Sequence, residues 1–241
     1  MTHKPLLPRL ARVLSCACAA ALLALPSHAQ EGYCASDGQP RPRALVERFI
    51  NADCATCWAD PAAAPVGPRE LALDWIVPGQ EGDEAPLSAA ALPEALERLA
   101  QHGRQAPSRL ERLKSPLVAS ARTLRVSHGM PFNDYIGTSI ELRPAGRAPW
   151  KAWLLLVETI PAGTEGTQVE RNLVRAALQP PWTGSRPPSR SEEQKLLEMR
   201  SMRVPEGARP ERLRVVGWVE DARGRIRVIS ESRCRHQEGR R

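Results

Sequence analysis

Ala44-Leu45-Val46-Glu47-Arg48-Phe49-Ile50, followed after three residues by Cys54-Ala55-Thr56-Cys57, is the stretch on which the fold reading turns. A short, mainly apolar run of this kind reads as a strand. Two cysteines separated by two residues just beyond a strand, outside the reducing cytosol, point to a disulfide-exchange site or to a small structural disulfide. The two readings need different surroundings, and the rest of the sequence says which surroundings to expect.

The chain opens as an export signal. Residues 1–12 carry Lys4, Arg9 and Arg12, residues 13–25 are apolar, and Ser27-His28-Ala29 is a small-x-small cleavage site ahead of Gln30. The apolar run is too short to span a bilayer, and no later stretch is long and apolar enough. A lipid-anchored alternative at Cys16 is a poor fit, since Arg12 leaves almost no apolar segment before it and Val13-Leu14-Ser15 departs from a lipobox. The expected location is periplasmic or secreted. Cys16 and Cys18 fall inside the signal, so four cysteines remain: Cys34, Cys54, Cys57 and Cys234. Four thiols allow three pairings. The simplest set joins Cys54 to Cys57 through a short loop and leaves Cys34 to close on Cys234.

The formal net charge is +7, of which +3 belongs to Lys4, Arg9 and Arg12, leaving +4 on the mature chain. Its arginines are scattered among acidic residues with no interleaved aromatics on which bases would stack, so a nucleic-acid partner is not expected. Residues 235–241 read as a solvated tail. Pro-rich stretches at 61–68 and 183–191 and an acidic loop at 78–86 punctuate the chain. That loop holds Glu81, Asp83 and Glu84 without regular cation-ligand spacing, and reads as solvated.

Residues 44–50 and 71–77 are expected strands, and 88–102 has helical spacing through Ala91, Leu92, Ala95, Leu96 and Leu99, stopped by Gly103. Strand, CxxC, strand, helix is a thioredoxin-like opening. In an exchange site the first cysteine caps a helix whose positive end stabilises the thiolate. Here Pro61, Pro65 and Pro68 limit that helix to one or two turns, and Asp53 sets a like charge beside a Cys54 thiolate. Strands are expected at 124–127, 136–142, 153–159, 213–219 and 226–230, with Asp221-Ala222-Arg223-Gly224 turning the last two into a hairpin. Residues 195–204 fit helix or strand: Ser191 and Gln194 suggest a capping box, while Leu197, Met199 and Ser201 alternate. Residues 168–178 are equally open between the two.

Two regions carry a family resemblance. Leu45-Val46-Glu47-Arg48-Phe49, leading to Cys54 and Cys57 with Ala59-Asp60 beyond, forms one. Ala152-Trp153-Leu154, Gly163-x-x-Gly166, Asn172-x-Val174-Arg175, Trp182-x-Gly184 and the closing segment 214–230 form the other. In these the chain resembles an exported Gram-negative family with a thioredoxin-like amino-terminal part, catalogued as a domain of unknown function. The resemblance implies an α/β thioredoxin-like part, shortened, over 30–115, followed by a β-rich, mainly antiparallel part over 116–234. It implies no reaction. The chain departs from the family's pattern in having Trp58-Ala59-Asp60-Pro61 after the second cysteine and only Asp74-Trp75 where the second strand is usually more aromatic and acidic.

No Gly-x-Ser-x-Gly elbow, His-Glu-x-x-His pair or phosphate loop is present. His102 and His128 are single, and a zinc site at Cys54 and Cys57 would need two further ligands, so neither metal nor cofactor is expected. Asn172, Arg175 and Trp182 would line a binding groove, or form a packing and hydrogen-bond unit. Two functions follow as expectations. One is a specialised thiol-disulfide oxidoreductase, Cys54 attacking and Cys57 resolving, acting on a thiol- or disulfide-bearing periplasmic protein. The other is a non-catalytic periplasmic binding or scaffold protein with structural disulfides. Amino-terminal sequencing of the exported protein is expected to begin at Gln30, and a lipid-modified Cys16 would contradict that.

Overall fold

The computed structural model describes residues 34–63, 66–147, 149–182 and 189–234. The signal with Cys16, Cys18 and the Ala29 site, and the tail 235–241, lie outside the described residues. Strand β1 (Cys34–Ala35) is followed by β2 (Ala44–Asn51), helix α1 (Ala55–Ala59), β3 (Glu70–Val77), α2 (Pro93–Gln101) and β4 (Leu110–Pro116). Then come β5 (Thr123–His128), β6 (Tyr135–Arg143), β7 (Lys151–Ile160) and β8 (Arg171–Leu178), α3 (Arg190–Gln194), β9 (Leu196–Arg203), β10 (Leu213–Glu220) and β11 (Ile226–Glu231).

The expected α/β thioredoxin-like fold is overturned: the protein is mostly β-sheet, arranged as a curled seven-stranded sheet and a four-stranded sheet. The large sheet runs β11-β10-β7-β8-β3-β2-β4 and the small one β1-β5-β6-β9. The CxxC strand β2 does pair in parallel with β3. The sheet then continues through β8 into β7, β10 and β11, so strands from both sides of residue 116 share one sheet, and the described residues fall in a single compact unit. The helix that would cover a thioredoxin-like sheet is absent for the reason the prolines give: α1 has five residues and ends before Pro61.

Every residue of β2 is buried, so both faces of the large sheet are covered there. On the inner face of the curl, Leu45 and Phe49 of β2 join Trp75 of β3, Trp153 of β7 and Trp218 of β10, with Ala95 and Leu99 of α2 packed among them. The rings form a ladder: Phe49 stacks on Trp75 at 6.1 Å, Trp75 meets Trp153 edge-on at 5.9 Å, and Trp153 stacks on Trp218 at 5.9 Å. On the outer face, Leu154, Leu156, Val215 and Val228 pack against Leu124, Val126, Ile136 and Ile140 of the small sheet. The approach is close enough to require glycine at 217, where a Cβ would lie 2.8 Å from Val126 Cγ1 and 3.0 Å from Ile140 Cδ1. In β5 and β6 buried and more exposed residues alternate, because the far side of the small sheet faces solvent.

Helix α2 is shorter than the expected 88–102. Pro93 lacks an amide donor and holds Leu92 extended, so the helix begins there, and residues 88–90 form a separate 3-10 turn. Its buried face carries a cation. Arg98 donates from Nη1 to Glu220 Oε1 at 2.7 Å and from Nη2 to Glu47 Oε2 at 2.8 Å, and its guanidinium lies 5.1 Å from the Trp218 ring centre and 5.7 Å from that of Trp153. All three side chains of the triad are nearly inaccessible to water. Burial by itself would raise the Glu47 carboxyl, but the charge of Arg98, with His102 alongside, holds it down to about 2.

The two open segments both settle as strand. Residues 171–178 form β8, while 196–203 form β9 behind the short α3, whose capping box uses Ser189 and Glu192 instead of Ser191 and Gln194. Arg98→Ala would leave Glu47 and Glu220 buried without a counter-charge, and is expected to cost about 3 to 5 kcal/mol in urea unfolding at neutral pH. A loss below about 1 kcal/mol would show that the triad is a surface-like pair.

Candidate functional site

The chain leaves β2 through Asn51-Ala52-Asp53, where Asn51 Oδ1 accepts the Asp53 amide at 2.8 Å and the Cys54 amide donates to Asn51 O at 3.0 Å. Cys54 then stands at the amino-terminal cap of α1, and Cys57 lies one turn inside, joined to it by a disulfide. Neither residue is open to solvent: Cys54 is 8% exposed and Cys57 5%. They pack with Trp58, Ile50, Ile76, Ala85, Ile160 and Leu173. Thr56 Oγ1 lies 3.5 Å from Cys54 Sγ.

The carboxylate of Asp53 turns to the following loop, accepting the Gln80 amide at 2.8 Å and the Glu81 amide at 3.3 Å. Gly79 makes room for it, since a Cβ there would fall 1.9 Å from Asp53 Oδ1. At the far end of α1, the buried Arg171 of β8 donates from Nη2 to Trp58 O at 2.8 Å and Asp60 O at 2.9 Å, its guanidinium 5.4 Å from the Trp58 ring centre. A cation at the carbonyl end of a helix satisfies groups that have no partner within it. Arg171 is in turn 3.5 Å from Asp74 Oδ1, and Asp74 Oδ2 accepts Arg48 Nη2 at 2.7 Å. The Trp58 indole donates to Glu165 O at 2.7 Å. Thus α1 is held at its start by the disulfide and at its end by Arg171 and Trp58. Nothing in the sequence marked Arg171, because apart from Thr167 its partners lie more than 90 residues away.

Asn172, Arg175 and Trp182 do not converge. Asn172 Nδ2 donates to Ala72 O at 3.0 Å and its Oδ1 accepts Arg214 Nη2 at 2.8 Å. Arg175 donates to Glu158 Oε2 at 2.7 Å. Trp182 packs against the cluster between the two sheets. Of the three, only Arg175 lines an open groove of about 630 Å³ that runs between the end of β8, the start of α2 and the end of β9. Its walls include Leu92, Ala177, Met202 and Pro205, with Arg175 and Arg203.

The second disulfide joins Cys34 to Cys234. His128, opposite Cys34 in the ladder between β1 and β5, has a ring nitrogen within 4.8 Å of both sulfurs, and its Nδ1 is 2.8 Å from Ser232 Oγ. Sulfurs spent on each other are not thiolate ligands, so the trio is a packed unit in this oxidised form. Among the described residues, no helix is long and apolar enough to cross a membrane. Comparison with protein-family models, with curated proteins and with solved structures gives no match in any of the three.

Burial pulls the His128 imidazole from its ordinary 6.5 to about 4. Between those values the unfolded chain binds a proton there and the folded protein does not, so stability is full above pH 6.5 and falls as the pH drops toward 4. The expected loss is on the order of 3 kcal/mol across that window. Urea unfolding at a series of pH values should show this slope in the parent and a flattened one in His128→Gln.

Proposed function

We propose that this is a non-catalytic periplasmic or secreted binding or scaffold protein whose disulfides brace the fold. The observation that carries the reading is the burial of both Cys54 and Cys57 beneath Trp58 and the ends of β2 and β3. Thiol-disulfide exchange needs an incoming thiolate to approach a sulfur along the S–S axis, and the departing sulfur needs a field that stabilises its charge. Packing obstructs the first requirement. A helix of five residues supplies little of the second. The exchange reading draws on the cap position of Cys54, and it is the outcome that the test separates.

In a structural role the Cys54→Ser, Cys57→Ser double variant should lose about 2 kcal/mol or more, the chain-entropy value for so short a loop. The parent pair should then have a reduction potential below about −300 mV and no activity in insulin reduction. A potential above that value, with the double variant as stable as the parent, would instead assign the pair to exchange chemistry.

A further inference from the structure

Strand β9 is the outer edge of the four-stranded sheet, eight residues long, with no proline or register shift along its pairing with β6. Edge strands are usually protected by such features or by charge, and of the charges here Glu198 and Arg200 are already paired with each other. Two of its side chains, Met199 at 69% and Leu197 at 42% exposure, are large, apolar and open to solvent.

The backbone decides what can join it. Val204 donates to Asp134 O at 2.7 Å, and the antiparallel register continues as Ile136 with Met202, Thr138 with Arg200 and Ile140 with Glu198. In an antiparallel ladder the pairs that exchange hydrogen bonds recur every second residue. The even-numbered residues of β9 therefore turn their amides and carbonyls to β6, while Leu197, Met199, Ser201 and Arg203 turn theirs outward. Among the described residues no backbone partner meets those outward groups.

We infer that β9 pairs with β9 of a second copy of this chain, antiparallel about a two-fold axis at Met199. A two-fold ladder can centre on an inward- or an outward-facing residue; centring on Glu198 or Arg200 sets two like charges face to face, and centring on Leu196 or Met202 leaves most of β9 unpaired, so the choice lies among 197, 199, 201 and 203. Centring on Leu197 sets Arg200 against Gln194, which is in α3, and centring on Ser201 sets Arg200 against Met202. Arg203 at the centre would bring two like charges together. With Met199 at the centre, Glu198 stands opposite the partner's Arg200 and Arg200 opposite the partner's Glu198, Leu197 meets Ser201, and Leu196 lies against Met202, which lines the groove. Arg200 already reaches Glu198 of its own strand at 2.7 Å with its side chain 56% exposed, so pairing would close a four-charge cluster. Each Met199 would be covered in part by its copy across the axis, and the two small sheets would become one of eight strands.

The mature protein should sediment as a dimer with a melting temperature that rises with protein concentration, and Met199→Arg, which sets two cations face to face at the axis, should be a folded monomer whose melting temperature does not depend on concentration. On mild oxidation Met199→Cys should give a covalent dimer, because facing residues in a hydrogen-bonded pair have Cα atoms about 5.5 Å apart. Leu197→Cys should not, since its copy would lie four residues along, roughly 13 Å away. A monomeric parent at every concentration, or cross-linking at Leu197→Cys as ready as at Met199→Cys, would overturn the inference. Either result is independent of the state of the Cys54 to Cys57 pair.

Discussion

The guanidinium of Arg98 touches carboxylates from β2 and β10, strands separated in the large sheet by β3, β8 and β7. Laid flat, those two strands would be about 19 Å apart, far beyond what one guanidinium spans. The contact is therefore possible only in a curled sheet, and the curl makes the inner face a closed apolar space that α2 can plug. The tryptophan ladder is the apolar counterpart of the same constraint, since Trp153 and Trp218 serve both as neighbours in the ladder and as the rings beneath the cation. A buried ion pair adds little net stability over an apolar core of equal volume. What the triad fixes is alignment: α2 cannot slide without stranding a charge.

The opposite face of β2 and β3 carries a second buried network, with Arg48 and Arg171 around Asp74. It positions α1, because the same Arg171 that reaches Asp74 also closes the carbonyl end of the helix. The CxxC is thus embedded in a hydrogen-bonded frame built from three strands, and its disulfide is one tie among several. Opening an exchange site would mean moving Trp58, whose indole is anchored to the loop at Glu165.

Much of the strand pattern was legible from periodicity. The runs around 44–50, 71–77, 136–142 and 153–159 are strands because their apolar residues admit no other packing at that length, and the prolines after Cys57 correctly limited α1. The architecture was not legible. A local order of strand, CxxC, strand and helix is compatible with several sheets, and the choice was made by β8, β7 and β10 joining β3 from a distant part of the chain. Strand β4 escaped notice because Leu-Glu-Arg-Leu-Lys-Ser-Pro reads as polar and lies at an edge, where half its residues face water. The partners of Asn172 and Arg175 were hidden for a similar reason: hydrogen bonds to Ala72, Arg214 and Glu158 leave no mark in spacing. Arg171, Glu220 and Arg98 look like ordinary surface charges until the fold buries them.

The Cys34 to Cys234 bond spans 200 positions, whereas the Cys54 to Cys57 bond spans three. In a chain delivered amino-terminus first to an oxidising compartment, Cys34 arrives long before Cys234 and has two cysteines close behind it. Early closure of the neighbouring pair would take both of those cysteines out of competition and reserve Cys34 for its distant partner. The long bridge, once formed, ties β1 to the segment after β11, where Ala35 and Arg233 also pair through their backbones.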